Sequence, residues 1–111
     1  FGDGSTRRDY TYIDDIIQGV MAAIAYEGAM FDVFNLGENE TITLRDLIAE
    51  IERAVGREAL INRLPEQPGD VPVTCADIKK ARKLLNYNPA TPLNVGLPKF
   101  VEWYQRMRRG E

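Results

Sequence analysis

Thr6-Arg7-Arg8-Asp9-Tyr10-Thr11-Tyr12 runs directly into Ile13-Asp14-Asp15-Ile16-Ile17-Gln18-Gly19-Val20-Met21-Ala22-Ala23-Ile24. The first seven residues alternate enough for a short extended stretch. The pattern then changes period. Ile13, Ile16, Ile17, Val20, Met21 and Ile24 recur at helical spacing and form one apolar face. Thr11 and Asp14 make a T-x-x-D helix start, and Asp14 and Asp15 read as charges suited to the positive end of the helix dipole. Gly28 is a plausible stop. Gly19 sits mid-helix at a cost of about 1 kcal/mol against alanine, which points to close backbone packing.

The same signals organise the rest of the chain. Phe31 to Leu36 predicts a strand closed by Gly37. Thr43-Leu44-Arg45-Asp46 is a second T-x-x-D start, followed by Leu44, Leu47, Ile48, Ile51 and Val55 on one helix face and by Gly56 as its end. Leu60 to Leu64 is a further short strand candidate. Pro65, Pro68 and Pro72 rule out helix or central strand, so residues 65–72 form a shaped loop. Asp77 to Leu85 predicts a short helix with Ile78, Ala81, Leu84 and Leu85 on its apolar side. Thr91 can cap a last helix with Pro92 at its first position, and Leu97, Phe100, Val101, Tyr104 and Met107 line the face expected to be buried. Pro98 predicts either a separate first turn or a kink. The fold class is α/β: about four helices with a few short strands in one unit, residues 1–111. So little sheet leaves several apolar faces in want of a partner lobe.

Composition narrows the function. The 111 residues are 44% hydrophobic and 28% charged, with a net charge of −3. There is no basic stripe of the kind nucleic-acid binding uses. Arg106, Arg108 and Arg109 fit the negative end of a helix dipole. The single cysteine, Cys75, excludes an internal disulfide and fits a reducing, cytoplasmic setting. With no histidine, Ser-His and Cys-His catalysis and the usual zinc sets drop out. No apolar run is long enough to span a membrane. The chain opens at Phe1 without an initiator methionine, which suggests a piece of a longer protein.

Three segments carry a resemblance. They are Phe1-Gly2-Asp3-Gly4 with Arg8-Asp9-Tyr10-Thr11-Tyr12-Ile13-Asp14-Asp15; Asn35-Leu36-Gly37 with Thr43-Leu44; and Gln67-Pro68-Gly69-Asp70-Val71-Pro72 with Thr74, Ala76-Asp77, Lys80-Ala81, Pro89 and Phe100-Val101-Glu102-Trp103-Tyr104. In this order they resemble the C-terminal third of the NAD-dependent epimerase/dehydratase family, extended short-chain dehydrogenases, most of all its UDP-glucuronate 4-epimerase branch. The resemblance implies a small C-terminal lobe that covers a UDP-sugar, while an N-terminal Rossmann lobe holds NAD. That family's glycine-rich fingerprint and Tyr-x-x-x-Lys pair do not occur in these residues. Gly2 and Gly4 do not stand between a strand and a helix as a dinucleotide site requires. No catalytic residue and no cofactor site is therefore expected here, and NAD is expected in the full-length parent.

Residue by residue, the resemblance makes Arg8 the arginine that reaches the substrate diphosphate, a task suited to a planar, bidentate guanidinium; the plain alternative is a surface arginine paired with Asp9 or a nearby carboxylate. It makes Asp70 the acceptor for the ribose hydroxyls; a turn aspartate is the plain alternative. Gln67 stands where UDP-galactose-type epimerases carry a second phosphate-binding arginine, and glutamine fits the glucuronate-type branch, against the alternative of an exposed loop glutamine. Phe1 corresponds to a residue near uracil, against the alternative of a frayed terminus. Arg7 has no such match and reads as a solvated arginine. Tyr12, Trp103 and Tyr104 read as packing residues. The isolated chain is expected to be inactive. Two alternatives stand beside this reading: the same lobe of a dehydratase or decarboxylase, and a non-catalytic module that binds a nucleotide or a protein.

Overall fold

The computed structural model describes residues 1–110. Two short strands, β1 (Arg7–Arg8) and β2 (Ile42–Thr43), pair antiparallel with Arg7 opposite Thr43 and Arg8 opposite Ile42. Four helices follow the chain: α1 (Ile13–Ile24), α2 (Leu44–Val55), α3 (Lys79–Leu85) and α4 (Leu93–Arg109). The predicted class and helix number therefore hold. Helix α1 packs on α3, and α2 packs on α4.

Local rules explain α2 and α3 well. Thr43 caps α2 through its hydroxyl, which accepts from Asp46 N at 3.0 Å. The next donors are met by the N-terminal segment: Leu44 N reaches Thr6 O at 2.9 Å and Arg45 N reaches Gly4 O at 3.0 Å. Gly56 closes the helix in the left-handed region at φ 73°. Helix α3 starts two residues later than Asp77, whose carboxylate accepts from Lys79 N.

Elsewhere the expectations need correction. Thr11 does not cap α1. Its hydroxyl donates to Asp9, and α1 has no side-chain cap. Asp15 is not a surface dipole charge but 7% exposed, accepting from Ala90 N and Thr91 N. Thr91 does not cap α4: the helix begins at Leu93, with Pro92 at the N-cap position rather than the first helical one, and it has no side-chain cap. Helix α4 continues unbroken past Pro98, so its first turn is not separate. Helix α1 ends at Ile24, before Gly28.

Phe31–Leu36 and Leu60–Leu64 are not strands. Phe34 and Leu36 turn into the core while Phe31 and Val33 stay exposed. A strand needs a neighbour, however, and here Val33 bonds instead to Asp32 and Lys80 side chains. Residues 60–64 are exposed throughout, with Leu64 O held by Gly2 N at 2.9 Å.

The core is small: Ile78, Ala81, Leu85 and Tyr87, flanked by Ala22, Ala23, Tyr26, Phe34, Leu36 and Ala76. Tyr87 is 1% exposed, and its hydroxyl donates to Gly37 O at 3.0 Å. Around this core the chain is a thin slab of 49 × 41 × 20 Å. Its radius of gyration is 16.7 Å, against about 13 Å for a compact domain of this length. Its accessible surface is 8404 Å², against about 6,200 Å² for a folded monomer of this mass. Ile13, Ile17, Val20, Met21 and Ile24 on α1 are exposed, and so are Phe100, Trp103, Tyr104 and Met107 on α4, where the sequence predicted burial for Phe100, Tyr104 and Met107.

Gly19 shows why the packed face tolerates no extra atoms. A Cβ there would lie 2.6 Å from Leu36 Cδ2. Gly19→Ala is expected to destabilise the fold by about 1–3 kcal/mol despite its better helix propensity. Thermal unfolding checks this, and an unchanged or raised midpoint would contradict the close packing of α1 on Leu36.

Candidate functional site

Two extended segments run side by side in the same direction. At one end Gly2 N bonds to Leu64 O at 2.9 Å. At the other, Arg7 forms a parallel bridge with Val73, with Arg7 N on Pro72 O at 2.8 Å and Thr74 N on Arg7 O at 3.1 Å. The second segment is longer between these ties, so its surplus bulges outward as the proline-rich loop 65–72. Pro68-Gly69 forms the bend. Asp70 N bonds to Gln67 O at 3.1 Å and Gly69 has φ 86°, the conformation in which glycine is favoured.

The bend delivers Asp70 to Arg8. Arg8 Nη2 lies 2.5 Å from Asp70 Oδ1, across 62 positions of sequence. Arg8 Nη1 also donates to Arg7 O at 2.8 Å, which fixes the guanidinium against β1. Gln67 belongs to the same bend through its carbonyl, and its side chain is exposed. Phe1 lies beyond the Gly2–Leu64 tie. Its ring, 58% exposed, edges an open cleft of about 440 Å³ between the N-terminus, α2 and residues 59–63. Thus the side chains of Arg8 and Asp70 meet and Gln67 joins them only through its backbone carbonyl, while Phe1 stands on a neighbouring cleft. Arg7 is not the solvated arginine predicted. Its Nε and Nη2 donate to Thr41 Oγ1 and O at 2.9 and 2.5 Å.

Carboxylates that the sequence reading took as ordinary hold this ribbon. Asp9, next to Arg8, accepts from Glu38 N (2.9 Å), Asn39 N (3.0 Å), Ala76 N (3.2 Å) and Thr11 Oγ1 (3.0 Å). Gly37 must be glycine for the turn to come so close, since a Cβ would lie 2.9 Å from Asp9 Oδ2 and 2.6 Å from Ala76 Cβ. Asp15 ties α1 to the start of α4 in the same way. The one local hint was the R-D pair at a strand end; nothing local marked Asp15 or Tyr87.

Glu38 sits beside this cluster with a buried oxygen, Oε2, that lacks a hydrogen-bond partner among the described residues. Burial pushes its carboxyl above the ordinary value of 4.5, and the nearby charges of Asp15, Asp9 and Glu40 push the same way. Burial likewise raises the Tyr87 phenol, with Asp15 and Glu38 adding to it.

Gly2 and Gly4 adopt positive φ, but the backbone after them leads into β1, not into a helix N-terminus. These residues do not fit a dinucleotide pyrophosphate. Among the described residues, no three His, Cys, Asp or Glu side chains are grouped to hold a metal ion, and no helix is long and apolar enough to cross a membrane.

The sequence model of the GDP-mannose 4,6 dehydratase family matches residues 1–100. The chain belongs to that family. The expected membership of the epimerase/dehydratase group, and the resemblance to its UDP-glucuronate branch, are thereby borne out. Within the family, the chain is 41% identical over 104 residues to a UDP-glucuronate 4-epimerase of Thermodesulfobacterium geofontis, covering 93% of this chain and 32% of that protein. It is 38% identical over 115 residues to UDP-glucuronate 4-epimerase 2 of Arabidopsis thaliana, covering 91% and 26%. Among solved structures of such proteins, UDP-glucuronic acid 4-epimerase from Bacillus cereus, in complex with UDP-glucuronic acid and NAD, superposes with a TM-score of 0.87 at 38% identity, covering 96% of this chain and 34% of the other. A UDP-glucose 4-epimerase from Thermotoga maritima, with UDP-glucose, superposes with a TM-score of 0.86 at 30% identity, covering 97% and 34%. The chain spans about a third of the length of the relatives it matches.

The raised Glu38 carboxyl gives a pH test. Its folded-state value lies above the unfolded one, so folding favours the protonated form. The penalty is full above the folded value and gone below 4.5. Glu38→Gln is therefore expected to unfold at a higher temperature than wild type at pH 7, the gap closing as both are brought to pH 4. A variant less stable than wild type at pH 7 would contradict the buried-charge reading.

Proposed function

We propose that residues 1–111 are the nucleotide-sugar-binding lobe of an NAD-dependent 4-epimerase acting on a UDP-glucuronate-like substrate. In this reading Arg8 takes the diphosphate, Asp70 the ribose hydroxyls, Gln67 supplements the phosphate contacts and Phe1 borders the base. The observation that carries it is the meeting of Arg8 with Asp70. Two residues assigned to adjacent parts of one nucleotide come together across 62 positions of sequence, on a bend shaped by Pro68 and Gly69. A guanidinium supplies paired donors to phosphate oxygens, and a carboxylate supplies paired acceptors to a diol. The arrangement binds and orients; no group in it removes a hydride or proton from a sugar.

NAD and the groups that act on carbon 4 belong in this reading to the rest of the parent enzyme, which the relatives' threefold greater length accommodates. NAD supplies the hydride acceptor and donor of a 4-epimerisation. The exposed apolar faces of α1 and α4 fit contact with that NAD-binding lobe, since surface of this size and character is normally covered. The chain alone is inactive. A second reading, the same lobe of a GDP-sugar dehydratase, takes its support from the name of the matching family.

Calorimetric or NMR titration with UDP, GDP and UDP-glucuronate tests the proposal. Weak saturable binding of UDP and UDP-glucuronate is expected, tighter than GDP. Arg8→Ala should weaken it about tenfold or more, the loss of charge-assisted bonds worth about 1.5–3 kcal/mol. Preference for GDP would favour the dehydratase reading, and binding indifferent to Arg8→Ala would remove the diphosphate assignment.

A further inference from the structure

We infer that the Arg8–Asp70 ion pair is a clasp on the loop 65–72, opened when a phosphate group takes Arg8. The inference rests on the diphosphate assignment of Arg8 and adds how the site changes when filled. Three observations lead to it. Backbone bonds hold the loop at its two ends, Leu64 on Gly2 and Pro72–Thr74 on Arg7, while residues 65–72 between them are exposed. Within that span the turn bond from Asp70 N to Gln67 O is internal to the loop, and the Asp70 carboxylate reaches across to Arg8. The pair is open to solvent, with side-chain exposures of 25% for Arg8 and 47% for Asp70, so an anion in solution can reach it.

The Asp70 oxygen sits where a phosphate oxygen would sit on the same Nη2. Carboxylate and phosphate therefore compete for one donor edge of the guanidinium, while Arg7 O keeps Nη1 in place. A bare diphosphate displaces Asp70 and frees the loop. A nucleoside diphosphate also offers ribose hydroxyls to the displaced carboxylate, and so refastens the loop over itself. The clasp thus separates nucleotides from inorganic phosphates by what happens to Asp70 after Arg8 lets go.

Backbone NMR on the whole chain tests this, through the heteronuclear NOE of Gln67, Gly69, Asp70 and Val71. In Asp70→Asn, which keeps the side chain's size and removes its charge, these four NOE values should fall while those of α1–α4 stay unchanged. Millimolar pyrophosphate should lower the same four in wild type and leave Arg8→Ala unaffected. Asp70→Asn should bind pyrophosphate about threefold tighter than wild type, the scale of an exposed ion pair, and should bind UDP no tighter. Unchanged loop NOE values in Asp70→Asn would overturn the clasp, whether or not UDP binds. A loop freed by Asp70→Asn but untouched by pyrophosphate would overturn its opening by phosphate. If pyrophosphate frees the loop and UDP does not bind, the clasp stands and the UDP-sugar reading falls.

Discussion

The Asp9 carboxylate gathers amide hydrogens from two other segments of the chain, the turn at Glu38–Asn39 and the strand-like stretch at Ala76, and a hydroxyl from Thr11. A charged acceptor with several N–H donors is among the stronger polar arrangements a small protein can make. Because Gly37 lacks a Cβ, the turn lies directly against it. Tyr87, the most buried large side chain together with Ile78, then closes over the Gly37 carbonyl from the other side. So the polar knot and the apolar core meet at one turn, and β1 leaves that knot carrying Arg8.

This arrangement explains how a chain with so little core presents an ordered site. Among the described residues four form the buried apolar cluster, and the slab is 20 Å through its thin direction. Hydrogen bonds from Asp9 and Asp15 take over part of the work that a larger core would do, fixing the ends of α1 and α4 and the neighbouring loops. The cost shows at Glu38, whose carboxyl is raised first by burial and then by the nearby charges of Asp15 and Asp9. The apolar faces of α1 and α4 carry no such polar substitute and stay exposed.

What could be read from the residues alone divides by range. Helix α2 was legible to its ends, because Thr43, Asp46 and Gly56 act within a few positions of what they cap. Gly19 was legible as a close-packing position because a mid-helix glycine is costly in itself, although its neighbour Leu36 is remote in sequence. Phe31–Leu36 was read wrongly as a strand, since pairing depends on a neighbour that no local pattern reveals. Asp9, Asp15 and Tyr87 were illegible. Their partners lie 29 to 76 positions away, and an aspartate at a helix start looks alike whether it faces water or a distant loop. Arg8 and Asp70 came from resemblance to a family; composition and spacing offered no reason to join them.

The most direct measurement is residue-resolved unfolding of Asp9→Asn. The amide would turn a donor toward N–H groups that now meet an acceptor. If the carboxylate holds the segments together, the variant loses about 2–3 kcal/mol of stability. Its NMR shift changes then concentrate at Glu38, Asn39, Ala76 and Arg8, remote in sequence as three of these are. Unfolding at the wild-type temperature, with shift changes confined to residues beside position 9, would contradict it.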